Sequence, residues 1–505
     1  MAAFVLSNLT GLVRQILIAN QFGTGLEIDA FYGAQTLPDI LFALAAGGAL
    51  ASAFVPTFTE ALSQADPRPA WRLASNTLTL VALVLAGGSA LAALGAPWLL
   101  SWLAPGFTRN PGQMALAVDL LRILLLSPTL FGISGLIMGI LNAHGRFLAA
   151  ALAPTFYWLG MILGLLVLSP TYGIYGLAWG AVLGAALHLG VQLPALLRLR
   201  PALRPQADVR DPLVRQVVTL MGPRLIGAGA VQLNFLVTTN LASALARGSL
   251  TALKQAWQIF TMPQVVLAQA LGIAILPTFS AQAAKGDLDG MRRSLHEALR
   301  LLLVLALPAT AGMLALGGLV VKLLFENGRF DATSTALVSG ALLAYTIGLI
   351  SHSVLELVVR GFYALKDTWT PVWVGAVAML LNIVLSVIFA TLLGSAGHIG
   401  LALANTVATT IEVGVLAWLL RGRLGGLALR ALGSVTARAG GAAIVMGLGL
   451  MPWLTLMRDQ SSWFTLLGGV ALGGAVYWVL ILALGVPEAR QIPELVLRRM
   501  RRNPG

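Results

Sequence analysis

The residues best equipped to do chemistry are charged groups set inside long apolar runs. Arg14, Asp29, Asp39 and Lys254 interrupt such runs, with Gln258 one helical turn after Lys254. A charge near the centre of a bilayer costs at least a few kcal/mol, so each must face a cavity, a partner or an interface. Cations so placed suit an anionic head group, and these five are the candidate substrate-binding residues. The competing reading is that Arg14 and Asp29 pair with each other or with loop carbonyls. Glu356 and Arg360, at i,i+4, read as an intrahelical ion pair with a structural or gating role. Enzymatic constellations are missing: there is no H-E-x-x-H, Walker A loop or G-x-S-x-G. Five scattered His and no Cys supply no metal-ligand spacing, so neither a metal nor a cofactor is expected. His188 and His352, inside apolar runs, read as buried hydrogen-bonding residues.

The elements that must hold these residues are membrane helices. Of 505 residues, 58% are hydrophobic and 10% charged, with a mean hydropathy of +0.86. A soluble protein carries about a quarter charged residues, which excludes a water-soluble globule, a disordered chain and a coiled coil. The apolar runs are continuous and many reach about 20 residues, the signature of helices rather than of barrel strands. Polar punctuation yields fourteen such segments between residues 3 and 486. The expectation is an all-α polytopic membrane protein with 14 transmembrane helices. The N-terminus shows no charged region followed by a cleavage site, so no removable signal peptide is expected. The net charge of +13 fits loops that meet lipid head groups better than it fits nucleic acid.

Basic residues concentrate in the loops after even-numbered segments, notably Arg198, Arg200, Arg204 and Arg210, and in the tail, where five arginines lie between 490 and 502. The opposite loops carry Arg109, Arg247, Arg329 and Arg458. This asymmetry predicts cytoplasmic termini.

An internal repeat divides the chain. Ala53-Phe54-Val55-Pro56-Thr57-Phe58-Thr59 recurs as Ala274-Ile275-Leu276-Pro277-Thr278-Phe279-Ser280, and Gly173-Ile174-Tyr175-Gly176-Leu177-Ala178 as Gly397-His398-Ile399-Gly400-Leu401-Ala402. The predicted organisation is an N-terminal lobe of six helices (1–197), a basic cytoplasmic linker (198–212), a homologous six-helix lobe (213–420), two further helices (430–486) and a basic tail (487–505). Two lobes of this kind suit alternating access around a site between them. Pro38, Pro56, Pro263 and Pro277 are the expected hinges or kinks.

Short motifs then run in order along nearly the whole chain. They include Arg14-Gln15-x-x-x-Ala19-x-x-Phe22-Gly23, Asp29-Ala30-Phe31, Leu37-Pro38 and Ala104-Pro105-Gly106-Phe107. Leu141-Asn142 with Arg146-Phe147, Leu324-Phe325-x-x-Gly328-x-Phe330, and Gly361-Phe362-Tyr363-Ala364 with Asp367 and Thr370-Pro371 follow. In combination they resemble the MurJ/MviN proteins, lipid II flippases of the multidrug/oligosaccharidyl-lipid/polysaccharide exporter superfamily. The resemblance implies a flippase of the bacterial cytoplasmic (inner) membrane. It would move an undecaprenyl-pyrophosphate-linked peptidoglycan precursor to the outer leaflet, with membrane lipids and cell-wall synthesis proteins as further partners. It also implies cavity arginines on helices 1, 2 and 8. Arg14 matches one, whereas Asn8, Phe42 and Gln258 stand at the others, and Lys254 is the expected replacement cation. The family's sodium site needs carboxylates on helices 7 and 11; segments 213–245 and 370–391 contain none, so that site is not expected. The alternatives are an exporter of another polyprenyl-linked glycan or of a small cation or drug, and a membrane scaffold without transport.

Overall fold

The computed structural model describes residues 2–45, 49–426 and 429–489. Most of the predicted basic tail, 490–505, lies outside them. Helices account for nearly all of the described residues and no strand occurs among them. Apolar segments in lipid have no water for their amides, so each must satisfy its backbone internally. Among the described residues nine helices are long and apolar enough to cross a membrane, or ten if the pair 332–347 and 349–364, bent by 46°, is one span. One of the nine, 369–423, encloses two of the predicted segments.

The chain divides into two compact units, residues 1–251 with 327–331, and residues 252–326 with 332–505. The first contains α1 (Ala2–Phe22), α2 (Leu26–Ala45), α3 (Ala49–Leu62), α4 (Arg68–Leu94), α5 (Ala96–Leu103), α6 (Pro111–Leu124) and α7 (Ser127–Ala143). It continues through α8 (Phe147–Leu163), α9 (Ser169–Tyr172), α10 (Ile174–Gly190), α11 (Leu193–Leu197) and α12 (Pro212–Ser243). Helix α13 (Ser249–Gln264) starts at the boundary. The second unit then runs through α14 (Ala270–Ala284), α15 (Leu288–Phe325), α16 (Ala332–Ile347), α17 (Leu349–Ala364) and α18 (Trp369–Leu393). It ends with α19 (Gly397–Arg423), α20 (Leu429–Leu456) and α21 (Ser462–Ala483).

In the first unit, α8 packs between α1 and α10, and α7 packs against α3 and α4. Helix α12, counted by the repeat as the start of the second lobe, packs on α2 and α3 here. The repeat and the compact units thus divide the chain at different points. Glycines permit α8 and the π-helical stretch that follows it, Gly164–Leu168, to approach α10: a Cβ on Gly160 would stand 2.3 Å from the Gly184 Cα, and one on Gly164 2.2 Å from the Gly180 Cα. In lipid, where apolar burial gives little drive, such close packing is what associates helices.

The linker is a fastened strap rather than a free loop. Ser75 Oγ, Thr79 Oγ1 and Asn76 Oδ1 of α4 accept from the backbone N–H groups of Arg204, Gln206 and Asp208 at 3.0, 3.2 and 3.2 Å. At its end Asp211 accepts from the amide of Leu213 as the N-cap of α12 and pairs with Arg72 at 2.9 Å. The motif residue Gly328 (φ +61°) also packs in the first unit, where a Cβ would meet Asn20 Oδ1 at 1.9 Å, so no other residue fits there.

In the second unit α18 packs against α19, and α15 against α16 and α20. Pro263 lies in the last turn of α13, and a π-helical stretch, Val265–Gln269, follows it before α14. Proline lacks the N–H its helix would use, and a local shift in hydrogen-bond register accommodates the loss. Pro277 sits inside α14, Pro38 inside α2 and an exposed Pro56 inside α3.

Candidate functional site

Arg14 is the centre of the strongest cluster. Its guanidinium carbon lies 4.2 Å from the ring centroid of Trp158 on α8, a cation–π contact. Gly11, one turn earlier on α1, makes room for that indole: its Cβ position is 3.4 Å from Trp158 Nε1. Arg14 Nη2 donates to Gln15 Oε1 at 3.0 Å and Nη1 to Met161 Sδ at 3.7 Å. Gln15 Nε2 in turn donates to the Tyr32 hydroxyl at 3.0 Å. The buried Nε of Arg14 has no acceptor among the described residues. The guanidinium thus keeps a donor that the described residues do not use.

Aromatic rings extend from the cation in one file. Trp158 and Tyr157 stand 4.6 Å apart, Tyr157 and Phe131 5.0 Å, and Phe131 and Phe42 4.7 Å. Phe42, where the resemblance implies an arginine, ends this file. The glycine contact of α8 with α10 fixes its register, because the Cβ position of Gly184 lies 2.4 Å from the Tyr157 carbonyl oxygen. Asp39 accepts from Gln35 Nε2 at 3.4 Å and is within electrostatic reach of Arg14 and Tyr157. Behind Phe131, His188 Nδ1 is hydrogen-bonded to Ser134 Oγ at 2.6 Å, the role expected of it.

Asp29 is placed elsewhere and does not pair with Arg14. Its Oδ2 accepts from the Gly248 amide at 2.7 Å, and its Oδ1 from the Thr251 amide and hydroxyl at 2.9 and 2.6 Å. It thereby caps the first turn of α13 from a neighbouring helix. The carboxylate is 5% exposed and has its capacity largely used within the fold.

Lys254 and Gln258 lie on α13 in the second unit, both half-buried. Lys254 makes no hydrogen bond or ion pair among the described residues. Gln255, between them, is fully buried, and neither end of its amide has a partner among the described residues. A buried unsatisfied amide is costly and marks a site that a polar ligand or water would complete. The spacing of charges gave no sign of Gln255. Glu356 and Arg360 form the expected ion pair on α17, and the guanidinium fits because Gly272 of α14 has no side chain to obstruct it. On the same helix His352 bonds to Asn405 of α19 at 3.1 Å. Arg300 pairs with Glu488 at 2.6 Å. In the turn before α18, Asp367 accepts from the Thr370 hydroxyl and amide at 2.7 and 3.0 Å and from Arg423 at 3.0 Å. These bonds, those of Thr370 foremost, hold its carboxyl below the usual carboxylate range. No group of three or more potential metal ligands occurs among the described residues.

The arrangement is a membrane-embedded cation with spare donors, set among aromatic faces. Its charge is of the sign that an anionic head group requires. Comparison with known proteins places the chain in a family. A probable lipid II flippase MurJ of Vibrio cholerae serotype O1 is 34% identical, across 96% of this chain and 95% of the relative. The lipid II flippase MurJ of Burkholderia cenocepacia is 30% identical, across 91% and 89%. A solved lipid II flippase MurJ in an inward closed conformation shares the fold, with a TM-score of 0.81 over 95% of this chain and 97% of that one at 23% identity. Residues 18–469 match the family model described as lipid II flippase MurJ, and the chain belongs to that family.

Proposed function

We propose that this protein is a lipid II flippase that serves cell-wall building. It carries the undecaprenyl-pyrophosphate-linked disaccharide-peptide from the inner to the outer leaflet of the bacterial cytoplasmic membrane by alternating access. The observation that carries the reading is Arg14, a guanidinium held on Trp158 inside an apolar bundle with its Nε lacking an acceptor. A pyrophosphate with sugar and peptide attached cannot cross hydrocarbon unaided, whereas the prenyl tail never has to leave it. A cation inside the bundle supplies the missing solvation, because charge-assisted hydrogen bonds are the strong ones.

In this reading Arg14 binds the pyrophosphate, and Lys254 with Gln258 provides further polar contacts. Asp39 orients Arg14 and accepts from donors of the head group. Asp29 serves by capping α13. The bends at Pro38, Pro56, Pro263 and Pro277 are where the helices change shape during transport. The Glu356–Arg360 pair keeps two charges neutralised on α17. Fourteen spans with both termini in the cytoplasm follow from the distribution of basic residues, and the membrane potential helps to reset a cationic site.

The test is rescue of bacteria whose resident lipid II flippase is switched off, with lipid II on the outer leaflet quantified directly and expression verified. The wild-type chain restores exposure and Arg14→Ala does not. A well-expressed Arg14→Ala protein that restores exposure in full overturns the assignment of Arg14. Failure of the wild-type chain itself shifts the reading to another lipid-linked glycan.

A further inference from the structure

We infer that a cleft in the first unit, between the start of α8 and the end of α11, binds an anionic glycerophospholipid. It is separate from the Arg14 cluster. The cavity has a volume of about 740 Å³. Arg146 and Arg198 line it together with the apolar side chains of Phe147, Leu148, Leu152 and Val191.

Each arginine lies one residue beyond an apolar helical stretch, 147–172 for Arg146 and 174–197 for Arg198. That is the level of the lipid head groups, with the apolar walls at the level of the acyl chains. Gly145, at φ +70°, ends α7 in a turn closed by the Arg146 amide on the Leu141 carbonyl at 2.8 Å. The turn directs the Arg146 side chain across the cleft, where Nη1 donates to the Ala195 carbonyl at 3.2 Å. A carbonyl takes one hydrogen bond and leaves the positive charge uncompensated. Arg198 makes no side-chain hydrogen bond or ion pair among the described residues, and no acidic residue lines the cavity. Two unneutralised guanidiniums facing one concave space form a site for a phosphate group.

The walls determine which phosphate. Phe147 is 62% exposed and Leu148 73% exposed, beside Leu152 and Val191 inside the cleft. A free phosphate leaves those surfaces unused, whereas an acyl chain covers them. The bound molecule thus has its phosphodiester between Arg146 and Arg198 and its first acyl segment against Phe147 and Leu148.

The test measures binding, not transport, so its result is independent of the flippase reading. Delipidated full-length protein is titrated with dioleoylphosphatidylglycerol, dioleoylphosphatidylcholine or glycerol 3-phosphate, and adducts are counted by native mass spectrometry. The wild-type chain retains the anionic lipid in preference to the zwitterionic one and does not retain glycerol 3-phosphate. Arg146→Gln with Arg198→Gln weakens retention roughly thirtyfold, as expected for two charges near an anionic group. Arg198→Gln alone, at an exposed side chain with no partner to lose, folds normally and weakens retention several-fold. Equal retention of both lipids, undiminished retention by the double variant, or equal binding of glycerol 3-phosphate overturns the proposal.

Discussion

The guanidinium of Arg14 lies over the indole of Trp158, 4.2 Å from its centroid, and the two residues come from helices far apart in the chain. A cation stacked on an aromatic face retains its in-plane N–H donors. The stacking therefore orients Arg14 without consuming the groups that meet an anion, as a carboxylate partner would.

Trp158→Ala removes that support while leaving the charge in place. A cation–π contact contributes about 0.5–2 kcal/mol depending on its desolvation, so lipid II exposure in the rescue assay is expected to fall several-fold, less than with Arg14→Ala. Trp158→Phe keeps a ring face and recovers most of the loss. Equal activity of the Ala and Phe variants would show that the indole does not orient Arg14.

The α8–α10 glycine contact predicts a steep dependence on side-chain size. Gly184→Val places a branched side chain where even a Cβ comes within 2.4 Å of the Tyr157 carbonyl oxygen. Overpacking typically costs about 1–3 kcal/mol, and here it also displaces Tyr157 and Trp158. The expected result is a lower Tm in detergent together with loss of lipid II exposure. Gly190→Ala, with nothing within 4 Å of its Cβ position, leaves both unchanged.

Asp367 predicts a pH signature outside the membrane-spanning segments. Bonds from Thr370, and then the charge of Arg423, lower its carboxyl from the usual value in the folded state. A depressed folded value stabilises the protein above the ordinary carboxylate range, and the contribution is lost as pH falls through the folded value. Asp367→Asn therefore lowers Tm at neutral pH, and the gap from the wild-type chain narrows under acid conditions. A gap that widens on acidification contradicts the assignment. The readout is thermal unfolding of the purified protein across a pH series.

Much of the fold was legible because lipid removes alternatives: a long apolar run bounded by charges has little choice but to be a helix. The i,i+4 spacing of Glu356 and Arg360 was equally readable, since it needs only the helix itself, and Pro263 foretold the irregular turn that follows it. The candidate site was legible only in its charged member. Trp158, Tyr157, Phe131 and Phe42 look like any aromatic residues in apolar helices, and only tertiary packing lines them up behind Arg14. The partners of Asp29 were not legible for a related reason: they are the backbone amides of Gly248 and Thr251, which carry no signature of side-chain type, and the Thr251 hydroxyl. The placement of α12 on α2 and α3 was likewise invisible to a repeat that compares helices without packing them.

The strap over α4 sets a limit on chain length. Donors at Arg204, Gln206 and Asp208 alternate with period two and meet hydroxyl and amide acceptors on a single helix. An inserted or deleted residue inside 204–208 slides the donors out of phase with those acceptors, so more than one bond is lost together. Composition marks this Arg- and Pro-rich stretch as a place for tags or loop exchange. Its length is instead as constrained as that of a paired strand, whose register fails when shifted by a single position.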